Sequence, residues 1–207
     1  ARRVLAYLAR ADFGAEPVIS ELVDVEAAAY PSDPGAAFGL DWENIVFEAP
    51  IGELEAWLIP GGSDDWVIHV HGKGAARTEA LRAVGPLAEA GYSQLVITYR
   101  NDAGAPRSPN GLISLGETEW NDLESAAAYA IDQGAERFVL YGDSMGGSIV
   151  TQFMHRSEYA DRVVGMVLDA PVLNWAGVLQ NQADRLHFGA FGGLVQLAVQ
   201  WRGGIDL

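Results

Sequence analysis

The sequence predicts an α/β fold: a mostly parallel sheet with helices on both faces. Three observations predict it. Short runs at 66–71, 95–99, 137–141 and 163–168 are apolar almost throughout and alternate with segments of helical periodicity. Strands without polar alternation belong in a parallel sheet covered on both sides. Two glycine-bearing turns, His71-Gly72-Lys73-Gly74 and Gly142-Asp143-Ser144-Met145-Gly146, each follow such a strand. Together with Arg100-Asn101-Asp102 and Asp169 they fall at the C-terminal ends of strands, where sheets of this kind collect their functional residues.

The elements follow in order. In residues 1–10, Val4, Leu5 and Leu8 share one helical face, with Arg2, Arg3 and Arg10 elsewhere. A short surface helix and the tail of a basic juxtamembrane segment both fit. Residues 11–42 carry Pro17, Pro31, Pro34, Gly35 and Gly39 and read as a lead-in with little regular structure. Residues 43–49 and 54–59 alternate around Pro50-Ile51-Gly52-Glu53, the pattern of an antiparallel hairpin. After the strand at 66–71 a helix is expected over 75–90, with Leu81, Val84, Leu87 and Ala88 spaced for burial. The strand at 95–99 leads into a loop over 100–116, then a helix over 117–133 with Trp120 in its first turn. The strand at 137–141 enters the serine turn. A helix over 145–157 follows, burying Ile149, Val150, Phe153 and Met154. The strand at 163–168 is expected to be buried and ends at Asp169-Ala170-Pro171. Residues 172–207 are mixed and amphipathic, as in helices of a cap. The expected organisation is thus a lead-in over 1–41, a core over 42–171 and a cap-like segment over 172–207.

Composition narrows the function. The 207 residues suit one domain with one sizeable core. Acidic side chains number 28 against 13 Lys and Arg. This argues against a nucleic-acid partner, which needs a basic face. There is no cysteine, hence no disulfide framework and no thiolate metal site. His69, His71, His155 and His187 are too scattered for a zinc motif, and no metal is expected. No apolar run is long enough to cross a membrane. The sequence starts at Ala1, which leaves a removed leader or anchor, and with it the compartment, open.

Gly142, Ser144 and Gly146 form G-x-S-x-G between a strand and a helix. A serine at the tip of such a turn is held in a strained conformation that exposes its hydroxyl above the sheet. The flanking glycines leave room for the chain to cross itself, and the N–H groups of the following helix point toward the hydroxyl. The turn at His71, Gly72, Lys73 and Gly74 lets backbone N–H groups approach a substrate oxygen. Paired with the N–H of Met145, the N–H of Lys73 forms the expected oxyanion hole.

These motifs resemble the α/β-hydrolases, of the bacterial esterase/lipase-like kind related to the serine aminopeptidases. Tyr99-Arg100-Asn101-Asp102 with Ala105-Pro106, Leu115-Gly116-Glu117-Thr118-Glu119-Trp120 and Leu168-Asp169-Ala170-Pro171 resemble one subgroup, and the similarity spans about residues 42–207. The resemblance implies a serine hydrolase acting on a small-molecule acyl ester without metal or organic cofactor, with Ser144 as nucleophile, a histidine base and an orienting carboxylate. In the family the acid and the histidine commonly follow later strands. By resemblance the sequence is the N-terminal part of a longer domain whose last two strand–helix units lie beyond Leu207.

Inside the sequence the base has few candidates. His155 lies eleven residues along the helix from Ser144, roughly 16 Å away at about 1.5 Å per residue. His69 reads as a satisfied core histidine and His71 as a brace for the oxyanion turn. His187, in the cap-like segment, is the remaining candidate. Asp169 either orients a base or fixes the loop into the cap. Asp143 points away from the nucleophile and reads as solvated. Arg100, Asn101 and Asp102 read as a loop held together by a buried Arg–Asp pair, with substrate contact as the alternative. The competing function is a catalytically incomplete hydrolase-fold fragment or binding module lacking its base. Either way, an apolar edge at 163–168 is expected to favour self-association or a complementing chain.

Overall fold

A computed structural model of the protein describes residues 30, 32–186 and 192–203. The expectations for residues 1–10, for most of the lead-in and for His187 lie outside the described residues. Within the lead-in the chain forms a short helix, α1 (Pro34–Phe38). Asp33 caps it, its carboxylate accepting the Ala36 N–H at 2.8 Å. Pro34 opens it, where the missing N–H costs no hydrogen bond, and Gly39 ends it at φ 69°.

The hairpin is β1 (Glu43–Ala49) and β2 (Gly52–Ile59), joined at Pro50-Ile51 with Ala49 opposite Gly52. The second strand starts two residues earlier than the alternation suggests because Gly52, at φ 123°, adopts a backbone that other residues avoid and pairs at once. The remaining strands are β3 (Asp65–Val70), β4 (Ser93–Ile97), β5 (Arg137–Asp143) and β6 (Val163–Asp169). The six lie in the order β1-β2-β4-β3-β5-β6. β4, β3, β5 and β6 are parallel and β2 is antiparallel to both neighbours. This is the α/β-hydrolase arrangement the sequence predicts. β3 and β5 are central neighbours with Val70 opposite Gly142. That register sets the turn after β3 beside the turn after β5.

The helices are α2 (Leu81–Glu89), α3 (Trp120–Asp132), α4 (Met145–Arg156), α5 (Trp175–Arg185) and α6 (Gly192–Gly203). α2 is shorter than the expected 75–90 segment. Ala76 is extended, so the chain closes the preceding turn first, then makes a 3-10 turn over Arg77–Ala80. α3 likewise starts later than expected. The fully buried Glu119 carboxylate accepts the Ser114 and Gly116 N–H groups at 2.7 and 3.0 Å and holds the chain in a tight turn. Leu115 and Gly116 take positive φ within it. Burial divides between two faces. Phe47, Ile68, Leu95, Leu123, Phe138 and Phe153 belong to the cluster under α3 and α4. Trp57, Ile59, Leu81, Val84 and Val96 form the one under α2.

The expectation that 163–168 is a buried strand is corrected. β6 pairs only with β5 among the described residues, and Val164, Met166 and Val167 are 52%, 50% and 45% exposed. With β5 as its one neighbouring strand among the described residues, these apolar side chains are left open. Beyond it, α5 is tied to the core by the Trp175 indole N–H on Ser148 Oγ at 3.1 Å, and to α6 by the Gln196 amide on the Ala176 carbonyl.

Candidate active site

β5 passes into α4 through a single residue, Ser144, at φ 49° and ψ −111°. A non-glycine residue in that region is strained and persists only where its surroundings over-determine it. Here they do. The Ser144 N–H donates to the Asp169 carbonyl at 2.8 Å. Its own carbonyl accepts from the N–H groups of Gly147 and Val172 at 3.1 and 3.0 Å. The turn admits no side chains at its flanks. A Cβ on Gly142 would lie 2.7 Å from the Gly146 carbonyl oxygen, and one on Gly146 would overlap the carbonyl of Val70. Gly147 is a third close-approach glycine, with a Cβ there 2.6 Å from Pro171 Cβ. The G-x-S-x-G spacing did not mark it, because its neighbour comes from the segment after β6.

The turn after β3 abuts this elbow. A Cβ on Gly72 would lie 3.2 Å from Ser144 Cβ. The Gly72 N–H donates to Glu79 Oε2 at 2.7 Å. The Gly72 carbonyl accepts from Tyr99 Oη at 3.1 Å and from Ala75 N–H at 3.2 Å, and lies 2.9 Å from His71 Nδ1. Gly74, at φ 74°, completes the turn, and Lys73 at its tip is exposed. Met145 is the first residue of α4, so its N–H has no partner one turn back. His71 is buried, stacked on Tyr99 with ring centroids 4.5 Å apart, and its Nε2 meets Asp102 Oδ2 at 2.9 Å. Both ring nitrogens face acceptors, so His71 braces the turn and neither nitrogen is directed at Ser144.

The carboxylates near the elbow differ from expectation. Asp143 is not solvated: it is 8% exposed and ion-paired with Arg82 of α2. Arg82 also lies 3.3 Å from Asp169 Oδ2, which accepts the Tyr141 hydroxyl at 3.2 Å. Asp169 is thus engaged by Arg82 and Tyr141. Burial pushes the Tyr141 phenol above its ordinary value and Arg82 partly opposes that shift, so the hydroxyl remains a donor. The buried pair of Arg100 is with Asp122 of α3, not with Asp102. Nε and Nη2 contact the two carboxylate oxygens at 2.8 and 2.7 Å, and the Arg100 N–H adds a third bond. Asn101, at φ 70°, ties its loop through Ser108 and the Leu112 carbonyl. Trp120 is half-buried against the core.

The other described histidines are remote in chemistry or in space. His69 is buried with Nε2 on Gln94 Oε1 at 2.8 Å, but its Nδ1 has no partner. It is half-satisfied, and burial pulls it down to about 4 from 6.5. His155 is exposed at the far end of α4. No described histidine hydrogen-bonds Ser144. His187, the candidate within the sequence, lies outside the described residues. Among the described residues no three His, Asp or Glu side chains converge as a metal site.

The family model described as serine aminopeptidase, S33, matches residues 62–201. A search of curated proteins finds no match. Among solved structures the chain is similar to the Pyrococcus furiosus esterase Pf2001, with 18% identity over 81% of this chain and 63% of that one, at a TM-score of 0.62. It is also similar to the alpha/beta hydrolase GrgF from Penicillium sp. sh18, with 17% identity over 72% of this chain and 53% of that one, at a TM-score of 0.57. The esterase EaEST from Exiguobacterium antarcticum is a third, with 16% identity over 69% and 56% of the two chains and a TM-score of 0.51. At these identities the likeness is one of fold. The chain spans between 53% and 63% of the length of these proteins.

Proposed function

The chain belongs to the serine aminopeptidase S33 family of the α/β-hydrolase superfamily, and from that premise we propose that it serves acyl hydrolysis, on a carboxylic ester or similar bond, with Ser144 as nucleophile. The observation that carries the reading is the positive φ of Ser144 between β5 and α4. Strain at a non-glycine residue, held by bonds from three segments, has a purpose if the hydroxyl must stand clear of the backbone.

In this mechanism Ser144 Oγ forms a bond to the acyl carbon while its proton passes to a histidine. The carbonyl electron pair moves onto oxygen, where the N–H groups of Lys73 and Met145 receive the charge. Collapse expels the alcohol, which takes the proton from the histidine. Water, deprotonated by the same histidine, then releases the acid and frees Ser144. His71 and Asp102 are committed to each other, which leaves His187 as the candidate base in this sequence. Gly72 and Gly74 shape the oxyanion turn, and Gly142 and Gly146 the elbow. Asp169, held by Arg82 and Tyr141, anchors the Ser144 backbone in this reading and is not the triad acid.

A fluorophosphonate probe tests the nucleophile. Labelling and p-nitrophenyl acetate turnover are expected in the native protein and absent in Ser144→Ala. Turnover undiminished in that variant would remove Ser144 from the mechanism. The absence of a histidine bonded to Ser144 among the described residues favours a second reading, a hydrolase-fold module without its base. Its signature is slow labelling at Ser144 without turnover of the ester.

A further inference from the structure

We propose that Asp102 and Tyr99 are positioning residues of the oxyanion turn: acting directly and through His71, they fix the Gly72–Lys73 peptide so that the Lys73 N–H stays aimed at the substrate's carbonyl oxygen. The inference rests on reading Ser144 as the nucleophile. Its core is peptide geometry. The carbonyl of Gly72 and the N–H of Lys73 belong to one planar trans peptide, so they point in opposite directions. Whatever holds the carbonyl aims the N–H.

The carbonyl is held from the side of Tyr99 and His71. Tyr99 Oη lies 3.1 Å from the Gly72 oxygen and His71 Nδ1 lies 2.9 Å from it. The Lys73 N–H therefore faces away from both rings. Asp102 supports the two rings at once. Its Oδ2 meets His71 Nε2 at 2.9 Å and accepts the Tyr99 backbone N–H at 2.9 Å. Burial, then the nearby Asp102, Glu119 and Glu79 carboxylates, push the Tyr99 phenol far above its ordinary value, so it remains a donor. On the other side of Gly72, Glu79 takes the Gly72 N–H at 2.7 Å. Both peptides flanking Gly72 are therefore fixed by side chains.

A turn needs less than this. The Ala75 N–H already closes it on the Gly72 oxygen at 3.2 Å. The Tyr99 and His71 contacts converge on the one peptide that carries the proposed donor. Oxyanion donors act because they are in place before charge develops, with no reorganisation left to do. Loss of a whole donor slows such enzymes about 10²- to 10³-fold. A donor that is present but loosened should cost less, about tenfold.

The test compares Tyr99→Phe and Asp102→Asn with the native protein and Ser144→Ala. Three quantities are read: the rate of fluorophosphonate labelling, kcat and KM on p-nitrophenyl acetate, and the backbone amide NMR resonances of Gly72 and Lys73. Expected are a drop of about tenfold in labelling rate and kcat, KM within about twofold, unchanged far-UV circular dichroism, and a displaced Lys73 amide resonance. Both variants labelling at the native rate with an unmoved Lys73 resonance would overturn the inference. If the native protein is not labelled at all, the nucleophile reading falls instead. The amide resonances, which need no turnover, then decide alone whether Asp102 and Tyr99 set this peptide.

Discussion

Replacing Gly146 with alanine tests how tightly the elbow is built. A Cβ at Gly146 would overlap the Val70 carbonyl oxygen, 2.8 Å from the carbonyl carbon and 3.0 Å from the His71 carbonyl oxygen. All three atoms are backbone, so no rotamer change relieves the contact. Either the start of α4 or the end of β3 must move by roughly 1 Å, and overpacking of this kind costs about 1–3 kcal/mol. Alanine's better helix propensity returns at most about 1 kcal/mol, so the clash wins. For a domain of this size each lost kcal/mol lowers the melting temperature by about 2–4 °C. The displaced segment carries the turn at 71–74, and a 1 Å error between nucleophile and oxyanion donors costs about 10²-fold in rate. Thermal melting and fluorophosphonate labelling are the assays. Gly62→Ala is the control, since nothing lies within 4 Å of a Cβ there. A Gly146→Ala protein that melts and labels like the native one would refute the close approach of β3 to α4.

Asp122→Ala leaves the Arg100 guanidinium, 8% exposed, without its carboxylate. Stability should fall by about 3–5 kcal/mol, read as a lower urea midpoint, and an unshifted midpoint would show the pair to be dispensable. His69 stays neutral in the fold down to about pH 4, whereas the unfolded chain takes up its proton near 6.5. Its contribution is therefore complete above about pH 6.5 and is lost as pH falls toward 4, by up to about 3 kcal/mol. His69→Gln should flatten that part of the stability–pH curve, and an unchanged slope assigns it elsewhere. The open face of β6 is expected to drive association. Light scattering should give a concentration-dependent mass that falls toward the monomer in Val164→Lys/Met166→Lys, and a native protein monomeric at all concentrations contradicts this.

The strands and the elbow were legible because their signals are local. Fully apolar runs and a G-x-S-x-G between strand and helix need no knowledge of distant partners. Charge pairing was not legible. Arg100 has Asp102 two residues away and Asp122 on a separate helix, and it takes the distant one. Asp102 is drawn off by His71 because β3 sits beside β4. Arg82 carries no motif and becomes visible only when its side chain reaches Asp143 and Asp169 at the ends of β5 and β6. The start of α2 escapes sequence reading for a related reason: the turn at Gly74 and the extended Ala76 take up the first residues, and 77–80 close as a 3-10 turn before the α-helix begins at Leu81.

A thinly covered edge strand of the sheet, β6, helps to fix the candidate nucleophile. β6 has one neighbour among the described residues and three apolar side chains about half exposed. Yet the Ser144 N–H ends on Asp169, its carbonyl on Val172, and Gly147 packs on Pro171. Ala170, between them, takes φ 44° and is, like Ser144, a non-glycine residue with positive φ. Ser144 and Ala170 each follow the end of one of two adjacent strands, and Arg82 links Asp143 to Asp169 across the same junction. Separating β6 from β5 would remove the bonds that Asp169 and Val172 make to the Ser144 backbone and leave the one from Gly147.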